Sequence, residues 1–251
     1  MNIFSKNNDE QVLVAQEQTS ILNSETDFYI HEAYNTLRSN ITFSFGGKGC
    51  KIVEVTSTNP GEGKSITSLN TAIAFAEANK KVLIVDADMR RPKLHRLLDM
   101  KAKPGLSNIL VNECDVKDAI RKYNNIDVIC AGEIPPNSTT LLESEGLEGF
   151  FEGIKDDYDY IIIDTPPVNS VVDSCILAKY TSGIVFVIKQ NCAKKEHIVS
   201  AVSQLEFAGG KIIGFVLNDI IDKSLISIGK YRKLKSSRYK KYKSYSSYRA
   251  N

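Results

Sequence analysis

Ile52-Val53-Glu54-Val55-Thr56-Ser57-Thr58-Asn59-Pro60-Gly61-Glu62-Gly63-Lys64-Ser65-Ile66 decides the fold of this chain. A stretch of strand character runs into a glycine-bearing turn. The turn opens a helical run from Ser65 to Ala78. Strand, loop and helix in this order form a phosphate cradle: loop amides point inward, and the helix N-terminus adds partial positive charge. The full pattern is G-x-x-x-x-G-K-[ST]. Gly63, Lys64 and Ser65 match its last three positions, while Thr58 stands where the first glycine belongs. The amides of Gly61 to Ser65 can wrap a β-phosphate, and Asn59, Pro60, Glu62 and Ile66 complete the candidate nucleotide-binding set. Lys64 is expected to be an exposed side chain whose charge matters only when phosphate oxygens arrive. The Ser65 hydroxyl is expected to reach Mg²⁺. A glycine-rich turn with no ligand is the plain alternative, and two further motifs argue against it.

The first is Val82-Leu83-Ile84-Val85-Asp86-Ala87-Asp88-Met89-Arg90. Its two carboxylates at spacing two point the same way from the end of a buried strand. Solvated or helix-capping aspartates would give the same pattern. The second is Ile161-Ile162-Ile163-Asp164-Thr165-Pro166-Pro167, an apolar strand ending in an aspartate, which is the Walker B pattern for Mg²⁺. Convergence of Asp86, Asp88, Asp164 and the loop on one sheet edge implies a Mg²⁺-nucleotide site.

Around these motifs, strands are predicted at 51–57, 81–86, 126–130, 158–164, 183–188 and 211–217. Helices are predicted at 28–45, 64–78, 92–99, 106–111, 115–121, 139–154, 172–179 and 194–208. Continuous Val/Ile runs indicate strands buried on both faces, as in parallel sheets. The alternation implies an α/β, doubly wound, mostly parallel sheet of the P-loop NTPase-like type, with its ligand at the carboxyl ends of the strands. Residues 1–26 read as a flexible segment, 27–222 as the nucleotide-binding domain and 223–251 as a tail.

The 42 % hydrophobic and 25 % charged composition is that of a globular protein. No apolar run approaches the roughly 20 residues that span a bilayer, and the N-terminus lacks a signal-peptide core; a cytoplasmic location is expected. Five scattered cysteines without a CxxC indicate reduced thiols rather than disulfides or a metal site. Residues 223–251 hold ten Lys/Arg and no Asp/Glu, leaving 22 Lys/Arg against 30 Asp/Glu before them. An acidic body therefore precedes a strongly basic tail, which reads as disordered. The tail carries Tyr231, Tyr239, Tyr242, Tyr245 and Tyr248, a set that reads as phosphoacceptors. A basic, tyrosine-bearing tail is also compatible with nucleic acid or anionic lipid. Beside a nucleotide site the acceptor reading takes precedence, with no specific nucleic acid as partner. Ser138 and the threonines after it suit a helix N-cap rather than a nucleophile.

Together, TSTNPGEGKS, LIVDADMRRP and IIIDTPPV resemble the bacterial protein-tyrosine kinases (the BY-kinase family), in particular the separate cytoplasmic type that serves capsular and exopolysaccharide synthesis. The resemblance covers roughly residues 28–220, and the tyrosine-rich end in kind. It implies an ATP- and Mg²⁺-dependent autokinase that phosphorylates its own tail tyrosines between subunits, and other proteins on tyrosine. Lys64, Asp86, Asp88 and Asp164 are the implied catalytic set, with Ser65, Asp86, Asp88 and Asp164 serving the metal. Asp86 is expected to orient or deprotonate the attacking phenol. Asn218 resembles the family's base-reading position; a plain strand-to-loop Asn is the alternative. Implied partners are the cytoplasmic tail of a transmembrane adaptor (a polysaccharide co-polymerase) that recruits the protein to the inner face of the membrane, further copies in a ring-shaped homo-oligomer, a cognate tyrosine phosphatase and tyrosine-bearing protein substrates. The family's subunit-contact motif is ExxRxxR, which reads here as Glu32, Asn35 and Arg38; the middle arginine is replaced. Ile66 stands where the family commonly has a threonine that donates to the α-phosphate. A nucleotide-switched positioning ATPase of the partition or septum-placement type is the second reading. Those proteins carry an additional lysine early in the loop, where this chain has Asn59.

Overall fold

The computed structural model describes residues 14–220. Its element order is α1 (residues 14–18), α2 (Phe28–Ser44), β1 (Lys51–Ser57), α3 (Lys64–Glu77), β2 (Val82–Asp86), α4 (Leu94–Leu97), α5 (Leu106–Leu110), α6 (Val116–Ala119), β3 (Ile120–Tyr123), β4 (Ile126–Ile129), α7 (Ser138–Leu142), α8 (Glu145–Ile154), β5 (Tyr160–Asp164), α9 (Asp173–Ala178), β6 (Gly183–Lys189), α10 (Lys195–Phe207) and β7 (Ile212–Asn218). Seven strands form one sheet in the order β3-β4-β2-β5-β1-β6-β7. All neighbours are parallel except β3 and β4.

This order sets the site. The three strands that end in the sequence motifs, β2, β5 and β1, lie side by side at the centre. Register places Asp86 opposite Asp164 and Asp164 opposite Val55, so the motif ends are level. Strand faces alternate, and both are covered. Val53, Val55, Val82, Ile84 and Ile162 pack with Leu69, Ala72 and Phe75 of α3. Leu83, Val85, Ile161 and Ile163 pack with Leu147, Phe150 and Phe151 of α8. Phe75 stacks on Tyr160 at 3.8 Å between ring centroids, closing one side of the first core.

Several expectations are corrected. The helix expected at 139–154 is two, because Ser144 stands between them as the N-cap position of α8. The helix expected at 115–121 is only the short α6. Its last residues belong to β3, which forms an antiparallel hairpin with β4 across the turn at Asn124 (φ +49°). Residues 14–26 are not a loose leader: Ile21 and Leu22 are buried. Asn70 of α3 clamps them, accepting from the Leu22 amide at 2.9 Å and donating to the Ser20 carbonyl at 2.9 Å. The apolar pair Ile21-Leu22 in a polar surround was the available signal. The first compact unit ends at Asn218, ahead of the expected boundary at 222. The five tail tyrosines lie outside the described residues. Among the described residues no helix is long and apolar enough to cross a membrane. All five cysteines are free thiols.

Glu54 sits fully buried in the middle of β1. Burial pushes its carboxyl up to about 8, against the pull of the Thr165 hydroxyl. An ordinary glutamate titrates near 4.5. The folded state therefore favours the protonated form. No penalty exists below pH 4.5; it grows through the interval and is complete above pH 8. Relative to Glu54→Gln, the wild type is expected to lose stability between pH 5 and 8, by up to about 1.4 kcal/mol per pH unit at the steepest. Chemical unfolding of both proteins across that range checks the sign; parallel curves contradict it.

Candidate active site

The loop after β1 owes its shape to two glycines with positive φ, Gly61 at +80° and Gly63 at +93°. Such angles are open to glycine and strained for other residues. Glu62 is fully buried and ties the loop to itself, its carboxylate accepting from the Thr58 amide at 2.9 Å. Asn218, at the end of β7, donates to the Glu62 carbonyl at 3.0 Å. Its amide fills the space beside Gly63 so closely that an added Cβ there would lie 2.0 Å from Asn218 Nδ2. Gly63→Ala combines this overlap with an unfavourable φ. It is expected to weaken nucleotide affinity at least about tenfold while the fold survives, since the strain is local. Calorimetric titration with ADP checks it; unchanged affinity contradicts this account of the loop.

Lys64 is not the exposed side chain expected. It is buried, and its Nζ lies 3.0 Å from Asp88 Oδ2, 3.6 Å from Asp164 Oδ1 and 3.5 Å from Ser65 Oγ. Burial acts to lower the pKa of this ammonium, but Asp164 and Asp88 outweigh it and the net displacement is upward. Lys64 thus carries its charge before any phosphate arrives and holds two motifs together. Ser68 Oγ donates to Asp164 Oδ1 at 3.1 Å, whereas the buried Asp164 Oδ2 has no hydrogen-bond partner. Burial raises the Asp164 pKa, and Lys64 opposes the rise.

The two carboxylates of the second motif part company. Asp88 lines an open cavity of about 480 Å³ together with Gly61, Gly63, Lys64, Ser65 and Arg91. Asp86 lies fully buried beneath it. Its Oδ2 accepts from the Lys93 and Leu94 amides at 3.1 and 3.0 Å, its Oδ1 from the Asp88 amide at 3.2 Å. Asp86 therefore ties down the start of α4, the capping alternative for this motif. Burial, with Asp164 beside it, pushes the Asp86 carboxyl up to about 8, against the pull of the Leu94 amide. Asp86 was expected to meet an attacking phenol; in this geometry its oxygens are taken by backbone amides, while Asp88, also buried and held by Lys64 Nζ and the Arg91 amide at 3.0 Å each, is the one that lines the cavity.

Among the described residues no group of three or more His, Cys, Asp or Glu side chains is arranged to hold a metal ion by itself. Mg²⁺ does not need one, since it keeps waters and takes one or two carboxylates plus substrate phosphates. Ser65 and Asp88 on the cavity wall and the unpartnered Asp164 Oδ2 fit that requirement.

Three contributors carry no motif signal. Asp173, fully buried at the start of α9, accepts from Arg90 Nε at 3.0 Å, Ser138 Oγ at 3.0 Å and Thr139 Oγ1 at 2.9 Å. It fixes the arginine that follows the two aspartates and gives Ser138 its place. Ser68 orients Asp164, as described. Glu17 of α1 pairs with Lys93 at 2.7 Å, and both border the cavity. On α2, Asn35 Nδ2 donates to Glu32 Oε1 at 3.0 Å, an intrahelical contact within the candidate subunit motif.

An AAA domain family matches residues 50–206. The putative tyrosine-protein kinase CapB of Staphylococcus aureus is 38 % identical over 198 residues, spanning 78 % of this chain and 87 % of that protein. The tyrosine-protein kinase YwqD of Bacillus subtilis is 35 % identical over 208 residues, 82 % of this chain and 85 % of its own. The chain belongs to the bacterial tyrosine-protein kinases. The kinase domain of the Escherichia coli tyrosine kinase ETK superposes with a TM-score of 0.75 at 30 % identity, covering 77 % of each chain. The BceF tyrosine kinase domain gives 0.72 at 32 %, covering 83 % of this chain and 88 % of that one. A septum site-determining protein of Pyrococcus horikoshii, at 23 % identity and a TM-score of 0.58, shares the fold alone. The fold is thus shared beyond the kinases, and the family assignment rests on sequence.

Proposed function

We propose that this kinase transfers the γ-phosphoryl group of ATP to tyrosines of its own tail, Tyr231, Tyr239, Tyr242, Tyr245 and Tyr248, and to tyrosines of other proteins. The observation that carries the site reading is Lys64, charged and buried between Asp88 and Asp164 at the mouth of a positive-φ glycine loop. Phosphoryl transfer asks a protein for positioning and charge stabilisation, and these residues supply both. The loop amides and Lys64 hold the β- and γ-phosphates. Ser65, Asp88 and Asp164 would hold Mg²⁺, which neutralises phosphate charge when bound. Lys64 then exchanges part of its carboxylate pairing for phosphate oxygens. A phenol at the γ-phosphate meets Asp88; Asp86 becomes available to it only on release from the Lys93 and Leu94 amides. Asn218, which donates to the Glu62 carbonyl, would serve the nucleoside end.

In the cell, we propose control of capsular or exopolysaccharide synthesis and export. The cytoplasmic segment of a membrane-spanning adaptor would recruit and activate the kinase, a tyrosine phosphatase would reset it, and copies would meet through Glu32, Asn35 and Arg38. Transfer is expected between subunits. Lys64→Met protein with an intact tail is mixed with active protein whose five tail tyrosines are phenylalanine. Phosphate should appear on the inactive subunit. Unlabelled inactive subunit, with wild-type labelling at a rate independent of concentration, contradicts transfer between subunits.

The positioning-ATPase reading has the shared fold on its side. Asn59 in place of a second loop lysine counts against it, as do the relatives named above.

A further inference from the structure

Glu54 takes no part in the site described so far, yet it lies one side chain away from it. Its Oε1 accepts a hydrogen bond from Thr165 Oγ1 at 3.0 Å, and its Oε2 is buried with no hydrogen-bond partner. Its neighbours along β1, Val53 and Val55, are ordinary core residues. A carboxyl in such a place, half satisfied and fully buried, works against stability, and an apolar group of similar shape would serve the core at least as well. Nothing in the packing calls for an acid.

What the acid does contact is the turn that leaves Asp164. Thr165 directly follows Asp164, and its amide donates to the Val55 carbonyl at 3.2 Å. Ser174 Oγ donates to Thr165 Oγ1 at 3.1 Å, and Thr56 Oγ1 donates to the Pro166 carbonyl at 2.9 Å. Pro166 and Pro167 then form part of the cavity wall. The seam from Glu54 through Thr165 therefore fixes the turn at whose start the Asp164 carboxylate meets Lys64 and Ser68.

We propose that Glu54 is a positioning residue for phosphoryl transfer: by accepting from Thr165 it sets the orientation of Asp164 toward Lys64 and the metal, and it is retained for that role at the expense of stability. The inference rests on the kinase reading of the site, and its test carries a binding readout as well as an activity readout.

Glu54→Met, Glu54→Gln, Thr165→Val and the Glu54→Met/Thr165→Val double variant are made in the full chain. Melting temperature, kcat, KM for ATP, and ADP affinity with and without Mg²⁺ are measured. Glu54→Met is expected to melt at or above the wild-type temperature, while kcat falls about tenfold with KM for ATP nearly unchanged. The gain in ADP affinity on adding Mg²⁺ should shrink in the same variant. Glu54→Gln keeps an oxygen for the Thr165 hydroxyl and should stay within about threefold of wild type. Thr165→Val should match Glu54→Met, with the double variant no lower, because both break one link. Wild-type kcat in Glu54→Met, an equal loss in Glu54→Gln, or multiplying losses in the double variant would each overturn the proposal. If Glu54→Met does not fold, a fully active Thr165→Val overturns it alone. If the wild type binds Mg²⁺-ADP but phosphorylates no tyrosine, the kinase reading fails, and the Mg²⁺-dependent affinities still decide the role of Glu54.

Discussion

Lys64→Met is expected to lose phosphotyrosine formation by at least about 10²–10³-fold, the scale seen when a single preorganised transition-state contact is removed. In this site the figure is a lower bound for a stated reason. Methionine keeps the length and packing of the side chain but removes the positive charge placed between Asp88 and Asp164. Two buried carboxylates are then left facing one another across the space that phosphates must enter. They can be relieved by taking up protons, which the upward displacement of Asp164 favours. A protonated Asp164 no longer serves a metal. Removing one partner of a buried ion pair also destabilises, typically by about 3–5 kcal/mol. The variant is therefore expected to melt lower as well, unlike a surface lysine change. Circular dichroism confirms folding, and phosphotyrosine is quantified in protein made without another tyrosine kinase. Retained phosphotyrosine would remove Lys64 from the site.

Asp164→Asn is expected to reduce activity by a similar factor, about 10²–10³-fold, by a different route. Asparagine preserves the shape at the end of β5 and an oxygen for Ser68. It withdraws the negative charge that holds Lys64 and that the proposed Mg²⁺ would share, so both the lysine and a nucleotide-bound metal would be misplaced. Lys64 keeps Asp88 as a partner at 3.0 Å and burial has already raised the Asp164 pKa, so losing Asp164 should cost less stability than losing Lys64. This separates it from Lys64→Met: activity falls in both, stability more in one. Comparing the Mg²⁺ dependence of ADP affinity in the two variants checks the distinction. An Asp164→Asn protein with wild-type Mg²⁺ dependence contradicts the metal role.

The sheet and the nucleotide loop were legible in the sequence because both rest on local, strong signals. Continuous apolar runs such as Ile161-Ile162-Ile163 admit little besides a buried strand, and the Gly63-Lys64-Ser65 turn admits few other uses. What escaped depends on contacts between distant residues. Period-two spacing placed Asp86 and Asp88 on one strand end but could not say that the Lys93 and Leu94 amides would claim the first of them. The burial of Lys64 follows from Asp164, which ends β5, and Asp88, just past the end of the neighbouring β2, a fact of sheet order rather than of the loop. Asp173 and Glu17 are single acids in polar stretches, and only the fold brings them to Arg90 and Lys93. Residues 14–26 read as loose because their two apolar residues are few; it is Asn70 that ties their backbone to α3.

Incubation of the full chain with ATP and Mg²⁺, with and without the cytoplasmic segment of a candidate membrane-spanning adaptor, followed by intact-mass measurement and site mapping, tests the central claim most directly. Stepwise addition of phosphoryl groups to several of Tyr231, Tyr239, Tyr242, Tyr245 and Tyr248, absent in Lys64→Met protein, is the predicted result. ATP hydrolysis under both conditions with no phosphate on any tyrosine would contradict it, and would favour the positioning-ATPase reading.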